Sequence, residues 1–357
     1  MQEDRKSING IQYLMAYAAI LVVINHFCNN GQYYFEALNF RIIGGFGVDI
    51  FFIISGFIMA YTLGEFNKET NKQSAISFMK KRILRIYPIY LIILVPFIFI
   101  YFLKSHFGIS GINIPSLIGS LLILPSITND ENYHMINSPA WTLVYEMFFY
   151  ITLSLTIFFS TNKKKSLINY SILLIITLII VNVFNLQGKR LGWVNLHYII
   201  GDTLLLDFIL GFIIYLIKKK DIKMNIPKPM LLILLIGATS LSMYFANKGY
   251  PRFISYGLTA FLVVTAFTIS NSINNTTNKT LLFLGAASYS IYLSHPLLFS
   301  VHNVLSAHFS FFHQSYIFDI AFVILAIALG SIIHKKIEVV IEKKIKPEMA
   351  KKRTAAN

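Results

Sequence analysis

The chain has 357 residues, of which 55% are hydrophobic and only 13% are charged, and its formal net charge is +15. This composition excludes an ordinary soluble domain, which carries about twice that share of charged residues. The basic residues lie between apolar stretches, where they indicate orientation in a membrane rather than nucleic-acid binding. The single cysteine, Cys28, excludes an internal disulfide framework and a thiolate metal cluster.

Ten apolar stretches approach the length of about 20 residues that a helix needs to cross a hydrocarbon core of about 30 Å. We predict membrane spans at 8–28, 43–63, 86–103, 141–160, 167–186, 198–217, 230–247, 253–271, 281–304 and 316–334. The segment 115–125 has a proline at each end and is too short to cross. We expect a re-entrant or interfacial segment there.

The distribution of basic residues predicts which side of the membrane each connection faces. With both termini in the cytoplasm, the cytoplasmic side holds all but six of the 31 Lys and Arg residues. The six on the outer side are Arg41, Lys104, Lys189, Arg190, Lys248 and Arg252. This bias follows the positive-inside rule, so we predict an all-α bundle of about ten spans with both termini cytoplasmic.

Four ionisable side chains fall at a similar depth on four predicted spans: His26, Asp49, Glu146 and His295. A charge in the hydrocarbon costs about 2.5–3.5 kcal/mol and usually faces the protein interior. We predict that His26 is a general base for an acceptor hydroxyl, supported by Glu146 or Asp49, in a pocket towards the outer side. The alternative is that each group only makes hydrogen bonds within the bundle.

A basic sequence, KKRILRIYPIYL at 80–91, precedes the predicted span 86–103. Lys81, Arg82 and Arg85 are suited to hold the phosphates of an anionic acyl donor at the cytoplasmic mouth. The alternative role is membrane orientation and contact with lipid headgroups.

The late sequence FLGAASYSIYLSHPLLF at 283–299 places Tyr289, Tyr292 and His295 within two helical turns. Tyr292 and His295 share a face, and Pro296 loosens the helix beside them. We include these side chains in the predicted substrate pocket, together with Ser55 and Trp141, with buried polar packing as the alternative.

Other polar groups receive no catalytic role from the sequence. His26 and His295 are zinc-ligand types, but no spacing such as HExxH accompanies them, so we predict no metal. Cys28 is more simply a packed thiol than an acyl carrier. Asp207 and Asp319 are further intramembrane acids without an assigned role.

Five motifs in order resemble acyltransferase family 3, the bacterial membrane O-acyltransferases that modify surface polysaccharides and related glycoconjugates. They are IQYLMAYAAILVVINH at 11–26, GGFGVDIFFIISGFI at 44–58, KKRILRIYPIYL at 80–91, PAWTLVYEMFFY at 139–150 and LGAASYSIYLSHPL at 284–297. The resemblance covers nearly the whole chain. We therefore predict an acyltransferase domain at 1–334, followed by a basic cytoplasmic tail at 335–357.

The resemblance implies an activity and its substrates. The donor would be acetyl-CoA or another acyl-CoA from the cytoplasm, with no permanently bound cofactor. The acceptor would be a hydroxyl of a surface polysaccharide or its lipid-linked precursor, and the location the bacterial inner membrane, as a multi-pass protein. Membrane lipids are expected partners and nucleic acid is not. The sequence does not determine whether the protein forms a homo-oligomer.

The resemblance also implies roles for residues at matching positions. His26 matches the essential histidine of the first helix, and Glu146 the acid of a WxLxxE motif that begins at Trp141. Asp49 and Ser55 match a GVDxFFxxSG motif. Arg82 and Arg85 match the basic motif linked to donor binding, and Tyr289 and His295 match the late SYxxYLxH motif.

One position departs from the family pattern. The family usually has an arginine eleven residues before the histidine, where this chain has Met15. Arg82 or Arg85 is the candidate replacement for that cation. Two alternatives to an active enzyme follow: a non-catalytic family member, or a transporter of polysaccharide or lipid intermediates.

Overall fold

The computed structural model describes residues 8–28, 40–63, 70–160, 163–309, 311–312 and 315–345, without the side chains of 163 and 164. These residues form helices and connecting loops, and no strand occurs among them. The helices are α1 Asn9–Phe27, α2 Ile43–Leu63, α3 Asn71–His106, α4 Ile114–Leu122, α5 Trp141–Phe159, α6 Lys163–Val183, α7 Leu196–Ile200, α8 Leu205–Lys219, α9 Lys228–Asn247, α10 Leu258–Ile269, α11 Asn271–Asn274, α12 Lys279–His308 and α13 Tyr316–Ile333.

The chain divides into two compact units. The first unit comprises Met1–Gly64, Leu206–Tyr292 and Leu298–Ala328. The second unit comprises Glu65–Leu205, Leu293–Leu297 and Leu329–Asn357.

Eight helices within the described ranges are long and apolar enough to cross a membrane. The all-helical membrane class predicted from the sequence is therefore confirmed. The predicted span 253–271 corresponds to a shorter apolar helix, Phe253–Ile269, which opens with a π-helical turn. The number of ten spans and the cytoplasmic location of the termini stay predictions.

The predicted single span 198–217 is wrong, because the chain breaks between α7 and α8. Asp202 lies between the two helices: its carboxylate accepts the N–H of Leu204 at 3.0 Å, and its carbonyl accepts the N–H of Leu205, the first residue of α8, at 3.1 Å. An Asp side chain that binds the backbone two residues on competes with helical hydrogen bonds and favours a break there. The apolar residues on both sides hide this break in the sequence.

The helix that contains the predicted span 86–103 begins well before that span. Helix α3 begins at Asn71, where Thr70 and Gln73 form a capping box. The Gln73 backbone N–H donates to the Thr70 hydroxyl at 3.3 Å, and the Thr70 N–H donates to the Gln73 side chain at 3.1 Å. A T-x-x-Q sequence is a known helix-start signal. The basic motif 80–85 therefore lies on a helix and not in a loop.

Helices α1 and α2 pack closely in the first unit. A Cβ atom at Gly47 would lie 2.6 Å from the carbonyl oxygen of Ala18, so only glycine permits this approach. Near the end of the contact, the Gly44 N–H donates to the Asn25 side chain at 3.1 Å. This packing fixes the relative position of the helices that carry His26 and Asp49.

The second unit contains the contact between the first half of α3 and the second half of α5. The Ser154 hydroxyl donates to the Ala75 carbonyl at 3.1 Å, and the Asn71 side chain donates to the Ser160 carbonyl. The rings of Phe78 and Tyr150 meet edge to face at 6.1 Å about one turn beyond these bonds. The two helices thus run antiparallel, with two polar contacts followed by an aromatic pair.

The segment predicted to be too short to cross, 115–125, overlaps a nine-residue helix, α4, and its re-entrant or interfacial position stays a prediction. Its small polar face is buried, at Ser116 and Ser120, whereas Ile114, Ile118 and Leu122 are exposed. The Tyr90 hydroxyl of α3 donates to the Ser120 carbonyl at 2.5 Å. This arrangement is compatible with a membrane-embedded segment whose apolar side faces lipid.

Helix α13 does not end where the predicted tail begins. It continues through a π-helical turn at His334–Glu338 and on to Ile345. His334 Nδ1 lies 2.8 Å from Glu338 Oε2, and both residues are buried. The domain division at 334 stays a prediction.

Candidate active site

Asp49 of α2 forms an ion pair with Arg252, the residue that precedes the π-helical turn at Phe253–Gly257. The guanidinium lies 2.5 Å from the carboxylate, and the Asp49 side chain is 1% exposed. The Arg252 cation also lies 5.6 Å from the centre of the Tyr256 ring. The prediction of a buried, interior-facing Asp49 is confirmed, and its partner is a cation that the sequence placed only in a loop.

His26 lies in the last turn of α1 and is half-buried. Its ring meets that of Phe299 edge to face at 5.6 Å. Another residue of the predicted pocket, Tyr292, is buried and its ring lies 5.8 Å from that of Phe51 on α2. These contacts lie within the first unit.

Ser55 on α2 and Tyr289 on α12 also belong to the first unit, and both are half-buried. Met15, at the position where the family has arginine, packs against the hydrophobic core around Leu14 and Phe46. The first helix therefore uses this position for apolar packing.

A buried polar pair that sequence reasoning left without a role also lies in the first unit. His302 Nε2 lies 2.7 Å from Asp319 Oδ1, and neither residue is more than 4% exposed. The rings of Phe318 and Phe322 lie 4.8 and 5.2 Å from the imidazole. The pair links α12 to α13. The sequence features that could have indicated this pair were an aspartate, Asp319, near the start of one apolar helix and a histidine, His302, within another.

Glu146 belongs to the second unit, where it is half-buried on α5. The Tyr150 hydroxyl, one turn further along, donates to Glu146 Oε2 at 2.9 Å. The Arg82 guanidinium of α3 lies 5.7 Å from the centre of the Tyr150 ring and 5.4 Å from that of Phe78. Two groups predicted for different roles, Arg82 and Glu146, thus contact the same tyrosine.

The three basic residues predicted for donor binding differ in exposure. Arg82 is buried at 6% exposed, Lys81 is half-buried and Arg85 is exposed. All three lie on α3, where Arg82 and Arg85, three residues apart, are neighbours along one face. Of these two neighbours, Arg82 is buried in the second unit and Arg85 is exposed at its surface.

The two tryptophans of the chain stack on each other in the second unit. The rings of Trp141 and Trp193 lie 5.1 Å apart at an angle of 24°. The Arg190 guanidinium lies 3.3 Å from the centre of the Trp193 ring. Tyr145 meets Trp141 edge to face at 5.6 Å, and its hydroxyl donates to Asp202 at 2.7 Å. The sequence named Trp141 for the pocket but missed the other members.

His295 belongs to the second unit, within the stretch Leu293–Leu297 of α12, and is fully buried. The Asn137 side chain donates to the Leu293 carbonyl at 3.1 Å. Pro296 lacks an N–H and weakens the helical hydrogen bonding one turn before it, and Asn137 adds a side-chain donor in that turn. Asn137 is a contact that the sequence did not indicate.

The model of acyltransferase family 3, described as an acyltransferase domain, matches residues 8–335. The chain belongs to this family. It is 27% identical over 324 residues to the O-acetyltransferase OatA of Staphylococcus aureus strain NCTC 8325, which covers 82% of this chain and 51% of that protein. It is also 27% identical over 153 residues to the acyltransferase MdmB of Streptomyces mycarofaciens, covering 42% of this chain and 38% of that protein.

The chain spans about half the length of OatA and less of MdmB. No solved structure matches it. Family membership confirms the resemblance that five motifs indicated, and with it the class of multi-pass membrane acyltransferases.

The structure assigns His26, Asp49, Ser55, Tyr289 and Tyr292 to the first unit, and Glu146, Trp141, Arg82, Arg85, Lys81 and His295 to the second. Within the second unit it brings Arg82 and Glu146 to one side chain, Tyr150. The meeting of His26, Asp49 and Glu146 in one pocket stays a prediction.

Proposed function

We propose that this protein is an O-acetyltransferase of a bacterial inner membrane, which transfers an acetyl group from cytoplasmic acetyl-CoA to a hydroxyl of a surface glycan or its lipid-linked precursor. The observation that carries the proposal is the family match over residues 8–335. The motif resemblance supports His26 as the counterpart of the family histidine. The relative named an O-acetyltransferase covers 82% of the chain and supports the acetyl group.

The net reaction breaks the C–S bond of the thioester and forms a C–O ester bond. The proton of the acceptor hydroxyl ends on the CoA thiol. We assign His26 as the general base that removes this proton, since an imidazole is the usual group for that step near neutral pH. A carboxylate beside an imidazole orients it and stabilises its protonated form.

We assign a catalytic role to Glu146, the acid of the WxLxxE motif, and a structural role to Asp49. Asp49 already neutralises the cation of Arg252 at 2.5 Å. A carboxylate in a close ion pair is held by its partner and contributes less to a second group. Asp49 then positions α2 and the segment that begins at Arg252, while Ser55 and Tyr292 line the pocket.

We assign the acceptor to the side of the second unit that carries Trp141 and Trp193. Stacked indole rings provide flat, amphipathic surfaces of the kind that contact the C–H faces of sugar rings. The Arg190 side chain beside these rings carries N–H groups that can donate hydrogen bonds to hydroxyl groups. The exposed Arg85 and the half-buried Lys81 are assigned to the phosphates of acetyl-CoA.

The proposal is tested by label transfer with the purified protein in lipid nanodiscs. Acetyl-CoA labelled in its acetyl group is incubated with surface glycan from a bacterium that encodes the chain. We expect label in ester linkage on the glycan, released by mild base. Label that stays on CoA while glycan crosses a sealed membrane would instead indicate a transporter and contradict the proposal.

A further inference from the structure

We propose that the two arginines of the basic motif have different roles, and this inference rests on the proposed function. Arg82 acts with Tyr150 to position the Glu146 carboxylate, whereas Arg85 binds the acyl donor. Arg82 and Tyr150 are therefore positioning residues for the proton-transfer step. Arg82 on α3 thereby provides an interior cation, whereas the first helix has Met15 where the family usually has arginine.

The first support is the direct chain of contacts from α3 to α5. The Arg82 guanidinium lies 5.7 Å from the centre of the Tyr150 ring, and the Tyr150 hydroxyl lies 2.9 Å from Glu146 Oε2. A cation within about 6 Å of an aromatic face is attracted to it. A phenol O–H that donates to a carboxylate forms a charge-assisted bond, which is stronger than a bond between neutral groups.

The second support is the difference in burial between arginines that are three residues apart. Arg82 is 6% exposed, and Tyr150 is 4% exposed. Arg85 is exposed, so a large anionic donor can reach it without rearrangement of α3. A buried guanidinium over two aromatic rings has little surface left for a phosphate. The motif 80–91 thus serves two sites.

The third support is the packing that holds this arrangement. The Phe78 ring contacts both Arg82, at 5.4 Å, and Tyr150, at 6.1 Å. The hydrogen bond from Ser154 to the Ala75 carbonyl anchors the next turn of the same contact. Because buried side chains cannot relax freely, removing one member shifts the others. The position of Glu146 therefore depends on α3.

The chain offers a matched control for removal of a buried phenol hydroxyl. The Tyr170 hydroxyl of α6 lies 2.8 Å from the Thr152 hydroxyl of α5, and Tyr170 is 2% exposed. Tyr170→Phe and Tyr150→Phe each remove one hydrogen bond between a phenol hydroxyl and a side chain of α5. In Tyr150→Phe the lost partner is Glu146, whereas in Tyr170→Phe it is Thr152.

The experiment measures kcat and the KM for acetyl-CoA in nanodiscs, together with equilibrium binding of acetyl-CoA. We expect Tyr150→Phe and Arg82→Gln to lower kcat about 10- to 100-fold, the effect of losing a hydrogen bond to a charged group, with binding within about twofold of wild type. We expect Arg82→Lys to recover part of kcat. Arg85→Gln should weaken acetyl-CoA binding about tenfold with kcat nearly unchanged.

Non-additivity gives a second readout that general loss of structure would not produce. If Arg82 acts through Tyr150, the double variant Arg82→Gln/Tyr150→Phe should have the kcat of the slower single variant. Tyr170→Phe should keep kcat within about twofold of wild type per folded molecule.

Two results would overturn the inference while leaving the proposed function intact. In the first, the wild type binds acetyl-CoA and transfers the acetyl group, but Arg82→Gln weakens acetyl-CoA binding as much as Arg85→Gln does. In the second, the kcat of Tyr150→Phe equals that of the control variant Tyr170→Phe. A wild type that neither binds acetyl-CoA nor acetylates glycan would instead overturn the proposed function, and this assignment with it.

Discussion

The guanidinium of Arg252 lies 2.5 Å from the carboxylate of Asp49, across 203 residues of sequence. The pair joins α2 to the π-helical turn that follows Arg252, and it explains how a carboxylate that is 1% exposed is tolerated in an apolar helix. A buried charge with a close opposite partner is far less costly than an unpaired one. The pair therefore fixes the geometry of the first unit around the GVD motif.

We expect Arg252→Gln to destabilise the protein by about 3 kcal/mol, because it leaves the buried Asp49 carboxylate without its cation. Thermal unfolding in mild detergent measures this change. Lys248→Gln, which removes an exposed cation of the same loop, should cost less than about 1 kcal/mol. Equal stability of the two variants would show that the ion pair does not support the fold.

Gly47→Ala should destabilise the contact between α1 and α2 by about 1–3 kcal/mol. The added Cβ would lie 2.6 Å from the Ala18 carbonyl, which is backbone and cannot move aside. Gly237→Ala is the matched control, since a Cβ there meets no atom within 4 Å, and we expect a gain of about 0.5–1 kcal/mol. Unfolding in detergent compares the two. A neutral Gly47→Ala variant would contradict the close packing.

The His302–Asp319 pair should contribute to stability and not to acetyl transfer. His302→Phe leaves a buried carboxylate unpaired and should cost about 3 kcal/mol. The double variant His302→Phe/Asp319→Leu should recover most of this loss. Well-packed apolar side chains often replace a buried ion pair at no cost in stability, and phenylalanines already surround this pair. Both variants should keep kcat per folded molecule. A double variant less stable than His302→Phe would contradict this role.

The two tryptophans permit a direct test of the acceptor site. We expect the acceptor glycan to produce a saturable change in intrinsic fluorescence, since Trp141 and Trp193 are the tryptophans of the chain. Trp141→Ala should raise the KM for acceptor about tenfold with little change in that for acetyl-CoA. Tyr244→Ala, which removes an exposed aromatic ring elsewhere, is the control. An unchanged acceptor KM in Trp141→Ala would place the acceptor elsewhere.

The sequence predicted most membrane helices because length and hydropathy determine them almost alone. It also identified 115–125 as a stretch too short to cross, since a proline bounds it at each end, and the nine-residue α4 overlaps this stretch. Its errors lie where a local polar contact decides a boundary. Asp202 breaks a run that is apolar on both sides, and the capping box at Thr70 extends α3 by a basic, amphipathic section.

The individual site residues were recognised by motif, whereas their partners were not. Arg252 appeared only as a basic residue of an outer loop, and Tyr150 only as the end of an aromatic sequence. Arg252 contacts Asp49 and Tyr150 contacts Arg82 from distant parts of the chain, and no periodicity or spacing encodes such contacts. The separate environments of Arg82 and Arg85 likewise depend on which face of α3 meets α5.

The rate of acetyl transfer by His26→Ala, measured with purified protein and saturating acetyl-CoA, tests the account most directly. We expect a loss of about 10²–10⁴-fold, the usual contribution of a general base, while acetyl-CoA binding stays within about twofold of wild type. His106→Ala, at the exposed end of α3, should keep the wild-type rate. Wild-type transfer by His26→Ala would contradict the proposed mechanism.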